Sequence, residues 1–159
     1  MAIISPLIFK YPAGVKSSRK YPPLIIISSL RVFHFTTFLG IFEFLISISW
    51  RYLIPENVYN KAKHGAINLH RGDLPRYAGV EPIKRALKNN EKQIAVCCHH
   101  ITSKFDDGEV IFKEYQNTNY QKELSLEQNV ERLKREITRY FPKLTIKTLE
   151  YLLNTSKNE

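Results

Sequence analysis

The sequence has few cysteines and no long uncharged hydrophobic run. Its only two cysteines, Cys97 and Cys98, are adjacent. Neighbouring residues on a strand point to opposite faces, so these two are poorly placed to bridge and indicate no disulfide framework. The most apolar stretch, residues 24–50, is interrupted by Arg31 and Glu43 and lacks the ~20 uncharged residues that a membrane span needs. We therefore expect no membrane contact and a cytoplasmic location.

Acidic residues are missing from the first quarter of the chain. Residues 1–40 contain five basic residues and no acid, while the whole chain has a formal net charge of +9. Such a basic surface attracts nucleic acids, nucleotides or a polyanionic folate, although a solvated basic face gives the same bias. The first 23 residues have neither an amphipathic arginine-rich helix nor a cleavage signal. Residues 1–40 are therefore expected to be an atypical N-terminal segment rather than a targeting peptide.

The remaining sequence alternates between strand-like and helix-like patterns. A length of 159 residues with 43% hydrophobic residues is typical of one folded domain. The patterns predict strands near 24–28, 44–49, 66–70, 94–101 and 109–114, and helices near 55–63, 82–88, 125–141 and 142–152. Strands that are apolar on both faces are typical of parallel sheets covered by helices. The sequence thus predicts an α/β fold: three layers, with a Rossmann-like, mostly parallel sheet and helices on both faces.

Polar residues that can carry chemistry follow two of these predicted strands. Asn68 and His70 are two residues apart, so on a strand they project from the same face. Asp106 follows the strand at 94–101, and ligands of open α/β sheets bind where strands end. If the two strands are neighbours, the carboxylate comes to lie beside the imidazole. The pattern therefore predicts one catalytic site formed by Asn68, His70 and Asp106.

Each of these assignments has a plainer alternative. Asn68 and His70 are also compatible with satisfied polar residues at the end of a buried strand, and Asp107 competes with Asp106 as the acid. The run Cys-Cys-His-His at 97–100 suggests zinc, but four consecutive strand residues diverge instead of converging on one ion. We therefore expect no metal.

The spacing of residues around this predicted site follows a family pattern. The motif Asn-x-His-x-x-x-Leu-Pro-x-x-x-Gly stands here as Asn68, His70, Leu74, Pro75 and Gly79. A later Asp-x-Gly stands as Asp106 and Gly108, and a strand histidine, His99, comes seven residues before that aspartate. Together these motifs resemble those of the 10-formyltetrahydrofolate-dependent formyltransferases. The run Gly-Val-Glu-Pro-Ile-Lys-Arg-Ala at 79–86 is similar to the methionyl-tRNA type, while Gly72-Asp73 replaces the usual serine-leucine of the loop.

The resemblance implies an N-terminally shortened formyltransferase fold. Residues 1–40 would be the shortened segment and residues 41–159 the catalytic domain with its C-terminal helices. Contacts to the folate are implied for Trp50, Arg51, Tyr52, Leu53, Leu74, Pro75, Ile101, Thr102 and Gly108. Trp50 and Tyr52 are also compatible with plain core aromatics. Arg71 and Arg76 are compatible either with contacts to the folate glutamate or a substrate phosphate, or with solvated loop charges.

The resemblance also implies the chemistry, in which 10-formyltetrahydrofolate is the small-molecule formyl donor. A primary amine, on methionyl-tRNA or on an amino-sugar nucleotide, would accept the formyl group through a tetrahedral intermediate. The Asn68 amide and a protonated His70 suit the oxyanion, and Asp106 suits the proton lost by the amine. A carboxylate close to His70 predicts that the pKa of the imidazole is raised toward or above neutrality.

Two other classes of protein compete with an enzyme. One is a non-catalytic, truncated remnant that binds folate or a partner without turnover. The other is a small basic RNA-binding module, which would interleave aromatic residues with Lys and Arg on an exposed face. Most aromatic residues here fall in apolar runs instead, which disfavours RNA binding.

Overall fold

One mixed sheet organises the protein. The computed structural model describes residues 24–28, 41–50 and 52–156. Its elements in chain order are β1 (Leu24–Ser28), β2 (Phe44–Ile48), α1 (Glu56–Tyr59), β3 (Ala66–His70), α2 (Pro82–Lys88), β4 (Gln93–His100), β5 (Val110–Asn117), α3 (Leu126–Thr138) and α4 (Phe141–Thr155). The strands lie in the order β1-β2-β3-β4-β5. The predicted α/β fold is confirmed, whereas the predicted division at residue 40 stays a prediction.

The sheet is parallel in one half and antiparallel in the other. β1, β2 and β3 pair in parallel, but β4 runs antiparallel to β3, and β5 runs antiparallel to β4. The connection from β3 to β4 contains the seven-residue α2, and the chain re-enters the sheet at the end where it left it. The sheet is partly parallel, and the sequence pattern had predicted more parallel pairing than this.

The two faces of the sheet are covered differently. Phe44 and Ile46 of β2 belong to a large apolar cluster that also contains buried residues of α2, α3 and α4. Leu45, which points the other way, packs with Val58 of α1 in a smaller cluster. Helices thus lie on both faces in the described part of the chain. Three of them share one face, and the other face is left largely to loops.

The C-terminal helices form as the sequence predicts. Ser125 Oγ accepts a hydrogen bond from the Gln128 N–H at 3.2 Å, and Gln128 Oε1 accepts one from the Ser125 N–H at 2.8 Å, which is the expected capping box. Leu133 of α3 and Leu144 of α4 are fully buried against the sheet. Within residues 24–28, 41–50 and 52–156, no helix has the length and apolar character needed to cross a membrane.

Candidate active site

Four polar side chains meet on the sheet face that lies away from α3 and α4. Asn68 of β3 and His99 of β4 are directly opposed in register, with Asn68 Nδ2 3.1 Å from His99 Nε2. The carboxylate of Asp106 lies between them and His70. Its Oδ1 is 3.4 Å from Asn68 Nδ2 and 3.4 Å from His99 Nε2, and its Oδ2 is 3.3 Å from His70 Nδ1. The structure thus brings the three predicted catalytic residues together and adds His99.

Asp106 reaches this position by a route that the strand pattern does not predict. Because β4 is antiparallel, its last residue, His100, pairs with Ile67 near the start of β3 rather than with the end of that strand. The turn between β4 and β5 then folds back over the sheet. Asp106 has a left-handed backbone (φ 49°), and its Oδ2 accepts a hydrogen bond from the Gly79 N–H at 2.8 Å.

Gly108 allows this turn to close. A Cβ atom added there would lie 1.8 Å from the carbonyl oxygen of His100, so any side chain would force the turn away from β4. The residue is buried. In the structure, Gly108 therefore lets its own turn approach the backbone of His100 closely. Contact between Gly108 and a folate stays a prediction. Asp107, the alternative acid, is exposed and pairs with Lys104 at 3.8 Å.

Backbone carbonyls determine which nitrogen of each histidine carries a proton. His70 Nε2 lies 2.8 Å from the carbonyl oxygen of Tyr77, which can only accept, so Nε2 is the protonated nitrogen and Nδ1 faces Asp106. His99 Nδ1 lies 2.8 Å from the carbonyl oxygen of His100 and is protonated for the same reason. In the neutral ring Nε2 accepts from the Asn68 amide nitrogen, and in the protonated ring it faces Asp106 Oδ1 as a donor.

Burial controls the charge of the site. It lowers the pKa of His70 below 6.5, and this effect outweighs the attraction of Asp106 and the hydrogen bond to Tyr77. The predicted rise in the pKa of His70 is therefore wrong. Burial acts to raise the pKa of Asp106, but the contacts with His99, His70 and the Gly79 N–H outweigh it, and the net pKa is lowered below 3.8. At neutral pH the site holds a carboxylate beside a neutral imidazole.

The first predicted folate loop follows β2 and begins beside β3. The Ser49 N–H donates to the carbonyl oxygen of Leu69 at 3.5 Å, so the loop starts next to His70. Trp50 packs partly against the smaller apolar cluster and contacts Tyr52 edge-on, with ring centroids 5.5 Å apart. Tyr52 and Leu53 are exposed. Arg51 lies outside the described residues.

The other predicted folate residues have mixed surroundings. Leu74 is buried against Ala95 and Cys97 of β4, whereas Pro75, joined to it by a cis peptide bond, is exposed. Ile101 is half-buried, and its N–H donates to the carbonyl oxygen of Ala66, at the start of β3. Thr102 Oγ1 accepts a hydrogen bond from the Lys104 N–H within its own turn. Of these residues, Pro75 offers the most accessible surface.

The two loop arginines are engaged with protein groups. Arg71 Nε donates to Thr138 Oγ1 at 3.3 Å, and its guanidinium lies 5.1 Å from the centroid of the Phe141 ring. Alternation along β3 explains this direction, because the residue after His70 points to the face covered by the C-terminal helices. Arg76 pairs with Glu91 and lies 5.2 Å over the ring of Tyr77.

Backbone groups of the loop have a part in the site that the sequence did not predict. The Tyr77 carbonyl and the Gly79 N–H hold His70 and Asp106, yet neither contact depends on a side chain that a motif could show. Gly72, which replaces a serine of the family pattern, was the one sequence feature that pointed to close packing in this loop. A Cβ at Gly72 would lie 2.6 Å from His70 Nε2 and 2.5 Å from the Tyr77 carbonyl oxygen.

The two cysteines are not poised for chemistry. Cys97 and Cys98 are buried free thiols, and burial raises the pKa of each to about 11. Both are therefore protonated at neutral pH. In the described ranges, no group of three or more His, Cys, Asp or Glu side chains is arranged to hold a metal ion.

Comparison with known proteins decides the family. The formyl transferase family model matches residues 42–145, more than half of the chain, and this range contains every side chain of the site described above. The chain belongs to the formyl transferase family. Several solved members of that family share its fold. The phosphoribosylglycinamide formyltransferase from Bacillus halodurans aligns with a TM-score of 0.56 and 22% identity, covering 67% of this chain and 54% of that one.

Curated relatives of this chain include methionyl-tRNA formyltransferases. The methionyl-tRNA formyltransferase of Rickettsia bellii is 31% identical over 72 residues, which cover 45% of this chain and 24% of the relative. That of Rickettsia prowazekii is 26% identical over 112 residues, or 70% of this chain and 35% of the relative. The chain thus spans about a quarter to a third of the length of these curated relatives.

One solved formyl transferase was crystallised with both an amino-sugar nucleotide and a folate. The formyltransferase PseJ from Anoxybacillus kamchatkensis, in complex with UDP-4,6-dideoxy-4-formamido-L-AltNAc and tetrahydrofolate, aligns with a TM-score of 0.55 and 28% identity. The alignment covers 73% of this chain and 62% of PseJ.

Proposed function

We propose that this chain transfers a formyl group from 10-formyltetrahydrofolate to a primary amine through a tetrahedral intermediate. Membership of the formyl transferase family supports this proposal. The observation that carries it is the position of Asp106, which comes from a separate turn and yet lies within 3.4 Å of both Asn68 and His70. An amide, an imidazole and a carboxylate are thereby available to one reacting carbon.

The surroundings of the site fit a folate. Asn68 Oδ1 is buried and has no hydrogen-bond partner within the described ranges, so a ligand with an N–H or O–H group would satisfy it. Large exposed apolar side chains occur in the loops that adjoin the site: Val80 follows Gly79, Phe105 precedes Asp106, and Tyr52 and Leu53 belong to the loop after β2. Exposed apolar groups around a polar centre suit a ligand that has aromatic rings and a polar reacting end.

The His70–Asp106 pair suits the proton transfer. An amine that attacks a formyl carbon must lose a proton, and His70 Nδ1 is unprotonated at neutral pH because burial lowers the pKa of the ring. Once Nδ1 takes the proton, the imidazolium is stabilised by the adjacent carboxylate of Asp106, at 3.3 Å. A positive imidazolium then stabilises the negative oxygen of the tetrahedral intermediate. His70 therefore acts as a base first and as a nearby positive charge second, since its Nε2–H is held by the Tyr77 carbonyl and its Nδ1 faces Asp106.

Asn68 suits the oxyanion. One hydrogen of its amide nitrogen is directed to His99 Nε2, and the other faces Asp106 Oδ1 at a long 3.4 Å. The second hydrogen is weakly held and is available to an oxygen that develops negative charge. Loss of a preorganised donor of this kind costs about 3–4 kcal/mol of barrier.

Two acceptor amines remain candidates. The methionyl-tRNA formyltransferase relatives and the helix motif at 79–86 favour methionyl-tRNA. An amino-sugar nucleotide is the second candidate, because the likeness to PseJ covers more of this chain at a similar identity. A cytoplasmic location and the absence of a bound metal stay predictions.

One assay tests the proposal. The protein is incubated with 10-formyltetrahydrofolate and either methionyl-tRNA, an amino-sugar nucleotide or no amine, and release of tetrahydrofolate is followed by absorbance. Release that depends on one amine supports the proposal and identifies the acceptor. Release without any amine would indicate hydrolysis instead. Folate binding without release would replace the proposal with the non-catalytic remnant.

A further inference from the structure

Three consecutive residues of the loop before α2 each give a backbone group to a side chain. The Tyr77 carbonyl oxygen accepts from His70 Nε2 at 2.8 Å, and the Gly79 N–H donates to Asp106 Oδ2 at 2.8 Å. Between them, the Ala78 carbonyl oxygen accepts a hydrogen bond from Arg85 Nη2 of α2. The loop thus connects an arginine outside the site to the residues inside it.

The middle contact and the Asp106 contact share one peptide group. The Ala78 C=O and the Gly79 N–H belong to the same planar unit and point in opposite directions across it. Arg85, this peptide and Asp106 therefore form a chain of two hydrogen bonds, with a cation at one end and an anion at the other. A cation on the carbonyl oxygen draws electron density from the amide nitrogen and makes its N–H a stronger donor. Gly79 has a φ of 80°, which a glycine adopts without strain.

Arg85 is held in place for this contact. Its guanidinium lies 5.8 Å from the centroid of the Tyr77 ring, which is buried. The Tyr77 hydroxyl donates to Glu91 Oε1 at 2.8 Å and accepts from Asn89 Nδ2 at 3.1 Å, so two hydrogen bonds hold the hydroxyl end of the ring. Arg76 lies over the same ring but pairs with Glu91. Both arginines therefore contact the Tyr77 ring, but Arg85 binds the Ala78 carbonyl whereas Arg76 binds Glu91.

We infer that Arg85 is a positioning residue that acts on Asp106 through the Ala78–Gly79 peptide group. Its guanidinium strengthens the Gly79 N–H bond and so stabilises the carboxylate in its charged form. The contact itself is independent of the proposed function, and only its effect on catalysis rests on formyl transfer.

Within the described part of the chain, four groups contact the Asp106 carboxylate. They are Asn68 and His70 from β3, His99 from β4 and the Gly79 N–H from the loop. Lys104 of its own turn pairs with Asp107. Arg85 also acts directly on His70, where its charge opposes protonation of the ring. Arg85 thus favours the same state at both groups, a charged Asp106 beside a neutral His70.

We call the chain of hydrogen bonds from Arg85 through the Ala78–Gly79 peptide to Asp106 the relay. The amide resonance of Gly79 reports on it in the free protein. In a ¹H–¹⁵N correlation spectrum recorded from neutral to acidic pH, this resonance follows the ionisation of Asp106. Arg85→Met removes the charge and the donors but keeps an unbranched chain. We expect the Gly79 amide proton to move upfield, and the midpoint of its titration to rise by about 0.5 pH unit or more. An unchanged midpoint in a folded variant would overturn the inference.

Two further variants separate the relay from a general loss of charge. Arg76→Met removes the other arginine that contacts the same ring and is expected to leave the Gly79 midpoint where it is. Arg85→Lys keeps a cation for the Ala78 carbonyl. Its Gly79 chemical shift and titration midpoint are therefore expected to stay close to those of the unmodified protein. If Arg76→Met moved the midpoint as far as Arg85→Met, the relay would be wrong and the effect would belong to the ring.

The unmodified protein supplies a test that does not depend on a variant folding. If the relay exists, the guanidinium nitrogen resonances of Arg85 shift with the same midpoint as the Gly79 amide. Different midpoints would contradict the inference. These spectra need no substrate, so a failure of the relay is distinguishable from a failure of formyl transfer.

Discussion

The two faces of the sheet are built from the same strands but are stabilised by different kinds of interaction. On one face Ile67 and Leu69 of β3 pack against apolar residues of α2, α3 and α4. On the other face Asn68 and His70, from the same strand, meet Asp106 and His99 through hydrogen bonds and charge. The apolar face tolerates small shifts because burial has no direction. The polar face depends on distances of about 3 Å, which a single backbone contact can change.

The largest expected effect falls on the polar face. Asp106→Asn keeps the size of the side chain and suits the left-handed backbone, but it removes the charge that stabilises the His70 imidazolium. We expect turnover with 10-formyltetrahydrofolate and the identified amine to fall about 10³-fold. Asp107→Asn is the matched control, since Asp107 is exposed and pairs with Lys104. Equal losses in both variants would argue against a special part for Asp106.

A core substitution tests the apolar face by stability instead of rate. Leu133→Ala removes a fully buried side chain from α3, and we expect the free energy of unfolding in urea to fall by about 3 kcal/mol. Ile146→Ala on the exposed side of α4 should change it by no more than about 0.5 kcal/mol. If the Leu133 variant kept full stability, the packing of α3 on the sheet would be wrong.

The capping box of α3 tests local helix stability. Ser125→Ala removes the side-chain acceptor for the Gln128 N–H, and we expect a loss of about 1 kcal/mol in the same urea measurement. Ser125→Asp preserves an acceptor at the cap and should restore most of the loss. A variant with alanine that lost nothing would show that the cap is redundant.

The smallest expected effect is a pH dependence of stability that comes from the polar face. The pKa of His70 is lower in the folded protein, so the unfolded chain binds more protons, and this contribution is complete above pH 6.5 and is lost as the pH falls below it. The lowered pKa of Asp106 adds a loss in the same direction below pH 3.8. Urea unfolding across this range should show a smaller loss near pH 6 in His70→Gln than in the unmodified protein. An identical profile would contradict a buried neutral His70.

Local patterns predicted much of the fold and of the membership of the site. The strand Ala66–His70 and the capping box at Ser125 have the predicted bounds, because alternation and capping depend on residues close in the chain. Alternation also explains why Asn68 and His70 share a face. The same rule applied to Arg71 would have directed it to the C-terminal helices, where it contacts Thr138.

Long-range geometry decided the rest. The predicted approach of Asp106 assumed two strands that end at the same edge, yet β4 is antiparallel and the turn folds back to bring the carboxylate in. The raised pKa predicted for His70 was wrong because it counted the neighbouring charge and not the burial that outweighs it. Burial depends on what every other segment covers, and no local pattern contains it.

The amino-acid sequence by itself determined the residue types of the site, the strands that present them and the caps of the helices, since each depends on neighbours within a few positions. Only the tertiary structure decided the direction of β4, the neutral state of His70 and the use of the Ala78–Gly79 peptide between Arg85 and Asp106. The reason is physical: charge states and backbone hydrogen bonds depend on distance and on exclusion of water, and both arise when remote segments pack together.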